Sequence, residues 1–276
     1  MTFSIVARSA DGASWGVVVA SRFLAAGAVV PGARAGVGAI ATQSFANLRY
    51  VPDGLALLAD GLPAQQVLDR LTAADGLRAQ RQAGVVDRHG GAAAFTGDEC
   101  ISWAGSTTGP DHSAQGTCLA GPGVVDRMSQ AFIASGGTTA LARRLLAALV
   151  AGDDAGGDRR GRQSAGLLVV TEGGGYGGGS DVAVDLRVDD HVAPVGELGR
   201  LLGLHELHFG EPEDLRLLEG GTAAEVDALL RRLGHDGDQP LDDRLAAWAG
   251  WEDYEERLVP GSMDGLVLGK LREAAA

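Results

Sequence analysis

The residue whose chemistry stands out most clearly in the sequence is Thr2. It follows Met1 directly and opens the β-rich run "TFSIVARS". Once Met1 is removed, Thr2 carries a hydroxyl and a free α-amine, and an α-amine titrates near pH ~8, so much of it is neutral at cellular pH. That amine can take the proton of the hydroxyl and so activate the oxygen as a nucleophile without a histidine. Thr2 is therefore a candidate nucleophile; the alternative is that it is only the start of a strand.

A segment rich in glycine and arginine provides charged side chains for a substrate. Arginine binds carboxylates through paired hydrogen bonds, which favours a small substrate with a carboxylate. Asp158 is expected to pair with one of these arginines or with the Thr2 ammonium, and the alternative is a solvated turn with an internal ion pair. The candidates in "GGDRRGRQSAGLL" are Asp158, Arg159, Arg160, Arg162 and Gln163.

Polar side chains also stand at the ends of two predicted strands. Such groups supply oxyanion donors in some sites, although more often they satisfy backbone groups. The candidates are Gln43, Ser44 and Asn47 in "ATQSFAN", and Gln115, Gly116 and Thr117 in "AQGT".

These residues are distributed over alternating blocks of strand and helix patterns. The order is strands, helices, strands, helices, strands, which predicts an α+β fold with antiparallel sheets and helices stacked outside them. Residues 2–205 are predicted to form this domain. Residues 206–276 are predicted to form a small helical domain whose core includes Trp248, Trp251 and Tyr254.

The composition narrows the possible partners. The chain has 276 residues and a net charge of −13, which disfavours nucleic acid and anionic membranes as partners. Cys100 and Cys118 do not have the spacing of a metal site, and His205 and His208 are interpreted as one helix face. There is no secretion signal pattern. We expect a cytoplasmic protein without a metal or cofactor.

Four sequence blocks carry a resemblance to a known family. In chain order they are "MTFSIVARSADGASWGVVVASRF", "GAVVPGARAGVGAIATQSFAN", "GGDRRGRQSAGLLVV" and "VDLRVDDH". Together they closely resemble domain-of-unknown-function family 1028, which is placed in the N-terminal nucleophile (Ntn) hydrolase superfamily. The resemblance covers roughly residues 2–205, and the tail resembles a helical peptidoglycan-binding-like module often appended to this family.

The resemblance implies a four-layer αββα sandwich in which Thr2 is the nucleophile and its α-amine the base. Proteasome-type relatives have an acidic residue after the second strand, where this chain has Ser21 and Arg22, and they use a lysine beside the nucleophile. The first lysine here is Lys270, so Arg22 or Arg34 is expected to supply positive charge. Thr117 stands where the family is expected to have asparagine.

Two functions follow as hypotheses. The first is an amidohydrolase that cleaves a small amide or peptide-like substrate, with Asp158, Arg162, Gln43 and Gln115 orienting the substrate and balancing charge. We expect this enzyme to be a homo-oligomer, namely a dimer. The second is a non-catalytic binding protein on an Ntn scaffold that engages cell-wall fragments through its tail.

Overall fold

A computed structural model describes residues 2–276 of the chain. Its contacts separate two compact units, the first ending at Arg200 and the second spanning Leu201–Ala276. Helices and antiparallel strands occur in blocks, so the fold class is α+β, as the sequence predicts. The predicted boundary between 2–205 and 206–276 falls within the helix Pro194–Phe209 and remains a prediction.

The strands of the first unit form two antiparallel sheets. Valine, isoleucine and threonine recur in these strands because branched side chains fit a pleated surface. The strands are β1 Thr2–Arg8, β2 Ser14–Ser21, β3 Pro31–Arg34, β4 Gly38–Ser44, β5 Arg81–Asp87, β6 Ala92–Thr96, β7 Gly105–Gly109, β8 His112–Gly116, β9 Ser164–Thr171 and β10 Val182–Val188.

The larger sheet has the strand order β10-β9-β2-β1-β8-β7 and the smaller one β3-β4-β5-β6. In the larger sheet β1 is a central strand: Thr2 lies opposite Ser21 of β2, and Phe3 lies opposite Gly116 of β8. In the smaller sheet Gln43 of β4 lies opposite Gln82 of β5. The first residue of β1 is therefore bracketed by strands on both sides.

The two sheets face each other, since β1 contacts β4 and β5 and β2 contacts β3. Side chains alternate between the faces of a strand, so Thr2 and Ser4 point the same way as Val6, which is buried in the core between the sheets. That core consists mainly of Val6, Trp15, Val17, Val19, Ala39, Ala41 and Val86.

Four helices of the first unit cover the sheets, namely α1 Tyr50–Ala59, α2 Ala64–Ala73, α3 Gly123–Ala134 and α4 Leu141–Asp154. Helix α1 contacts β3 and β4 and α2 contacts β5 and β6, whereas α3 contacts β7 and β8 and α4 contacts β1, β2 and β9. Each fully buried leucine or phenylalanine in these contacts contributes about 1.5–3 kcal/mol. Gly152 lets α4 lie close to α3 and to β1, because a Cβ there would be 2.7 Å from Met128 Cγ of α3 and 3.3 Å from Phe3 Cδ2 of β1.

Helix α5 spans Pro194–Phe209 and crosses from the first unit into the second. The remaining elements of the second unit are β11 Arg216–Leu217, α6 Gly220–Arg232, α7 Leu241–Trp251, β12 Ser262–Met263 and α8 Gly265–Ala274. Its core contains Trp248 and Tyr254. The prediction that Trp251 belongs to this core is wrong: Trp251 is the last residue of α7 and is 83% exposed. No helix within residues 2–276 is long and apolar enough to cross a membrane.

Candidate functional site

The side chain of Thr2 is buried at the start of β1, a central strand of the six-stranded sheet. Thr2 is only 5% exposed, and Ser21 beside it is also buried. Thr2 Oγ1 lies 3.0 Å from Ser21 Oγ, a distance suited to a hydrogen bond in which either hydroxyl donates. The hydroxyl of Thr2 is therefore held in place by a second hydroxyl on the neighbouring strand.

On the other side of β1, Thr117 forms a backbone pair with Thr2. Thr2 N donates to Thr117 O at 3.3 Å, and Thr117 N donates to Thr2 O at 3.0 Å. Residues that exchange both bonds in an antiparallel pair have side chains on the same face of the sheet. The Thr117 hydroxyl is buried and has no hydrogen-bond partner within residues 2–276. An unused hydroxyl thus lies on the face that carries the Thr2 side chain.

Next to Thr2, buried side chains link the two sheets through hydrogen bonds. Ser4 Oγ donates to Gln43 Oε1 at 2.7 Å and accepts from Gln115 Nε2 at 2.7 Å. Gln43 Nε2 also lies 3.3 Å from Thr2 O and 2.8 Å from Gln82 Oε1. The amide groups of Gln43 and Gln115, which the sequence indicated as oxyanion candidates, are hydrogen-bonded to these protein partners. Gln43 binds the Thr2 carbonyl, and both glutamines bind Ser4 and so connect the two sheets.

Gly84 of β5 makes room for this network. A Cβ at this position would lie 2.1 Å from Gln115 Oε1. The amide of Gln115 is fixed at both ends, since Oε1 accepts from Ser113 Oγ at 2.8 Å while Nε2 donates to Ser4. Moving the Gln115 amide away from a Cβ would break these hydrogen bonds, so the close approach of the sheets favours glycine at position 84.

Asp158 fixes the residue that follows Ser21. Its Oδ2 accepts from the backbone N of Arg22 at 2.9 Å, and its Oδ1 accepts from the backbone N of Arg160 at 2.9 Å. Arg160 Nη2 also lies 2.8 Å from Oδ2, forming an ion pair in which the aspartate is almost fully buried. Of the two partners expected for Asp158, the structure shows the arginine.

Two further candidates lie beside Ser21. Gln163 N donates to Ser21 O at 3.1 Å, and Gln163 Oε1 accepts from Arg22 Nη1 at 2.5 Å. These bonds bring Ser21, Arg22 and Gln163 together at the end of β2. Arg22 is exposed there, with its guanidinium oriented by the glutamine.

Arg162 and Arg159 are engaged with other parts of the protein. Arg162 Nε lies 2.8 Å from Asp153 Oδ1 of α4, and the hydrogen bond and charge of this aspartate raise the pKa of Arg162. Arg159 N donates to Cys118 O at 3.0 Å. The charge of Arg162 is thus balanced by α4, and Arg159 ties its loop to the residue after Thr117.

The contacts of Asn47 and Gly116 with the rest of the protein account for both residue types without a role in substrate binding. Asn47 Nδ2 donates to Asp75 Oδ2 at 2.9 Å. At Gly116 a Cβ would lie 2.4 Å from Leu119 Cδ1, and its carbonyl accepts from Gln82 Nε2 at 2.9 Å. Asn47 therefore anchors a loop, and Gly116 allows Leu119 to pack against the strand.

Phe45, which follows Ser44 at the end of β4, was not among the residues predicted for the site. Phe45 is 63% exposed, yet its position is fixed. Arg81 Nη1 donates to Phe45 O, and the Arg81 guanidinium lies 5.3 Å from the centre of the phenylalanine ring. Arg81 Nε is in turn paired with Asp75 Oδ2 at 2.9 Å. The only sequence signal for Phe45 was an aromatic residue directly after a polar strand end.

Phe23 has a corresponding position after β2. It is 53% exposed, and its carbonyl accepts from Ser164 Oγ at 2.6 Å. The same hydroxyl accepts from Ala26 N at 3.0 Å, so the loop is tied to β9 at both ends. Phe23 and Phe45 are thus exposed aromatic residues on loops whose backbones are held by buried groups.

Backbone strain also accumulates around Thr2. Of the six residues other than glycine that have positive φ angles within residues 2–276, three lie here, with φ of 52° at Ala25, 69° at Ser44 and 56° at Cys118. They lie at or just after the ends of β2, β4 and β8, the three strand ends that meet at Thr2. Such conformations cost on the order of 1–3 kcal/mol each and concentrate at functional sites. Their location supports a site at this end of the sheets.

Metal ligands are not grouped in the part of the chain that the structure covers. From Thr2 to Ala276, no three histidine, cysteine, aspartate or glutamate side chains are placed together to hold a metal ion. Cys100 and Cys118 are both free thiols.

Comparison with known proteins gives a family and a solved relative. No curated protein sequence matches the chain. The crystal structure of protein SPO2555 from Silicibacter pomeroyi, which is described by the DUF1028 family model, is similar with a TM-score of 0.67 and 31% sequence identity. The similarity covers 81% of this chain and 92% of that one. A family model described as a family of unknown function (DUF1028) matches residues 2–198, and the chain belongs to this family.

Proposed function

We propose that the protein is an Ntn-type amidohydrolase whose nucleophile is Thr2 after removal of Met1. The observation that carries the proposal is the buried pair of hydroxyls at Thr2 and Ser21, 3.0 Å apart, where three strand ends meet between the sheets. A residue that merely starts a strand needs no such surroundings, and termini are usually frayed.

The proposed reaction has two steps. Thr2 Oγ1 attacks the carbonyl carbon of an amide while the α-amine takes the hydroxyl proton. The amine then gives this proton to the leaving nitrogen as the C–N bond breaks, which leaves an acyl ester on Thr2. In the second step the amine takes a proton from water, the resulting hydroxide attacks the ester, and the acid leaves as Thr2 regains its proton.

Thr117 is the group that we assign to the developing oxyanion. Its hydroxyl is unpaired and on the same face as Thr2, whereas the amides of Gln43 and Gln115 already have protein partners. A donor that is free in the resting protein and fixed by its strand can stabilise charge without rearranging. Ser21 is assigned the orientation of the Thr2 hydroxyl.

The contacts between elements support the four-layer αββα sandwich that belongs to this proposal. Helices α1 and α2 contact the four-stranded sheet, α3 and α4 contact the six-stranded sheet, and the two sheets contact each other. Thr2 is the first residue of β1, the strand that contacts β4 and β5 of the second sheet, which supports a nucleophile between the sheets.

A cavity in the second unit favours the alternative function, a protein that binds cell-wall fragments. It has a volume of about 410 Å³ and is lined by His235, Asp236, Gln239, Asp243 and Arg244, among others. Arg244 Nη1 donates to His235 O at 3.0 Å, so the cationic side of this cavity is fixed. Such a mixture of charged and amide groups suits a polar glycan or peptide fragment.

The test is an intact-mass measurement on protein expressed without an N-terminal tag, before and after treatment with a β-lactone that acylates N-terminal threonines. We expect the mass to lack one methionine and to increase by one adduct, which peptide mapping places on Thr2. The matched controls are Thr2→Val, which keeps the shape and lacks the hydroxyl, and a form that retains Met1. A protein that has lost Met1 and is not labelled at Thr2 would refute the enzyme, and binding assays with muropeptides would then follow.

A further inference from the structure

We propose that Phe23 and Phe45 together form an aromatic rim that selects substrates with an extended apolar acyl group. The inference rests on the proposed function and names the substrate class for that same site.

The first step of the inference is position. Ser21 lies opposite Thr2, and Gln43 Nε2 is bonded to Thr2 O. Phe23 and Phe45 each follow two residues later, one on a loop of the larger sheet and the other on a loop of the smaller sheet. The loops that carry the two phenylalanines therefore begin beside Thr2, one from each sheet, and we infer that an acyl group bound at Thr2 extends between them.

The second step is rigidity. An exposed apolar ring is ordinary on a protein surface, but these two rings stand on loops held by buried polar groups. Arg81 binds the carbonyl and the ring of Phe45 and is itself paired with Asp75, and Ser164 binds the carbonyl of Phe23. Surfaces fixed before binding lose little entropy when a ligand is bound.

The third step is charge. An anionic acyl group would need free cations, but two arginines of the 159–162 segment are already balanced. Arg160 pairs with the buried Asp158, and Arg162 pairs with Asp153. The expectation of a carboxylate on the substrate therefore loses two of its supports. Arg22 is exposed on the Phe23 loop, where its guanidinium is bonded to Gln163 Oε1, and the large apolar side chains exposed on the two loops are Phe23, Leu24, Phe45 and Leu48.

The experiment measures acylation of Thr2 by three activated esters that share one leaving group. They are p-nitrophenyl acetate, p-nitrophenyl hexanoate and mono-p-nitrophenyl succinate, which carry a short, an apolar and an anionic acyl group. Thr2 Oγ1 forms a bond to the acyl carbon, the bond to p-nitrophenolate breaks, and the hydroxyl proton goes to the α-amine. Release of nitrophenolate gives the rate, and mass mapping confirms the acylated residue.

We expect hexanoate to acylate Thr2 at least about tenfold faster than acetate, since added methylenes in an apolar site give discrimination of this order. In Phe23→Ala and Phe45→Ala this ratio should fall by about tenfold. The acetate rate should fall much less than the hexanoate rate, because its methyl group is too short to reach the rim, and thermal unfolding reports that each variant is folded. The matched control is Ile133→Ala, which removes a side chain 62% exposed on α3 and should leave the ratio unaltered.

The possible failures are distinct. If Thr2 is acylated by acetate and hexanoate at equal rates, or fastest by succinate, the aromatic rim is refuted and the proposed nucleophile stands. If the ratio is high but neither phenylalanine variant lowers it, the rim is also refuted. If none of the three esters acylates Thr2, the proposed function fails and the rim fails with it.

Discussion

Thr2 and Thr117 exchange both of their backbone hydrogen bonds at the end of the β1–β8 pair of the six-stranded sheet, with N–O distances of 3.3 and 3.0 Å. The two threonine side chains lie on the same face of the sheet. Thr2 Oγ1 is hydrogen-bonded to Ser21 Oγ, whereas Thr117 Oγ1 has no hydrogen-bond partner within residues 2–276. A buried hydroxyl without a partner costs about 1–3 kcal/mol. Its presence beside Thr2 is the strongest structural reason to assign it a task during a reaction.

Thr117→Val tests that assignment because valine keeps the shape of threonine and lacks only the hydroxyl. We expect the free energy of unfolding to stay equal or to rise by about 1 kcal/mol, as an unsatisfied group is removed. Acylation of Thr2 should become about 100-fold slower or more, as for the loss of an oxyanion donor. Thr117→Ser, which retains the hydroxyl, is the control. A valine variant with the wild-type rate would assign Thr117 to the backbone pair alone.

Ser21→Ala should lower the rate of Thr2 acylation without unfolding the protein. The variant removes the hydroxyl that lies 3.0 Å from Thr2 Oγ1, so the nucleophile loses this hydrogen bond and the orientation it provides. We expect a loss of about tenfold, which corresponds to about 1.4 kcal/mol. Single-turnover acylation together with thermal unfolding measures both effects, and Ser14→Ala at the opposite end of β2 is the control. An equal loss in both variants would contradict a local role for Ser21.

The pH dependence of acylation should follow the α-amine of Thr2. The amine acts as a base only when it is deprotonated, and its ordinary pKa is about 7.7–8.0. We therefore expect the rate to rise about tenfold per pH unit below this range and to level off above it. Rates measured from pH 5.5 to 9.5 check the profile, and Thr2→Ser should share it. A flat profile would exclude the amine as the base.

Asp75→Asn should destabilise the first unit. Hydrogen bonding from Arg81, opposed by desolvation and aided by Asn47, lowers the pKa of Asp75 well below its ordinary value. Because the folded-state pKa is lowered, the stabilisation is present above about pH 4 and is lost as the pH falls below the unfolded-state value. Leaving the buried Arg81 unpaired costs about 3–5 kcal/mol.

The control for this prediction is Asp53→Asn, which breaks an exposed pair with Arg49 on α1 and should cost at most about 0.5 kcal/mol. Urea unfolding of both variants at pH 7 and pH 3 separates the two cases. Equal losses at pH 7, or a loss for Asp75→Asn that grows on acidification, would be inconsistent with a stabilising buried carboxylate.

Gly84→Ala should destabilise the contact between the sheets by about 1–3 kcal/mol, the usual cost of overpacking. The added methyl would overlap with Gln115 Oε1, whose hydrogen bonds prevent it from moving. Gly76→Ala adds a methyl where no atom lies within 4 Å and serves as the control in denaturant unfolding. Identical stabilities would mean that the network around Gln115 can rearrange freely.

The sequence was sufficient for the fold class and for the order of the blocks. The β-rich runs of β1 and β2 and the helical spacing in α3 and α4 are local patterns, which is why these elements could be predicted. The family was also predicted correctly from four blocks. Trp251 was wrongly predicted to be a core residue because its spacing from Trp248 fits a helix. Helix α7 ends at Trp251 and leaves that side chain exposed.

The contacts of the site were harder to predict, since they depend on pairings between distant parts of the chain. Arg162 and Arg160 are neighbours in an arginine-rich segment, yet one pairs with Asp153 and the other with Asp158. Nothing local in the sequence distinguishes them. Gln43 and Gln115 were predicted as oxyanion donors at strand ends. In the folded protein the two sheets face each other, and the side chains of both glutamines are hydrogen-bonded to Ser4 Oγ.

The central position of β1 has a consequence for biosynthesis. The strand β1, which carries Thr2, pairs with β8, and the contact of Ser4 with Gln115 spans 111 positions of sequence. The neighbouring strand β2 pairs with β9, and the contact of Ser14 with Thr171 spans 157 positions. During translation the hairpin of β1 and β2 therefore has two open edges until most of the first unit has left the ribosome, and open edges invite pairing with other chains. Nascent chains that stop before Thr171 should depend on chaperones far more than the finished protein does.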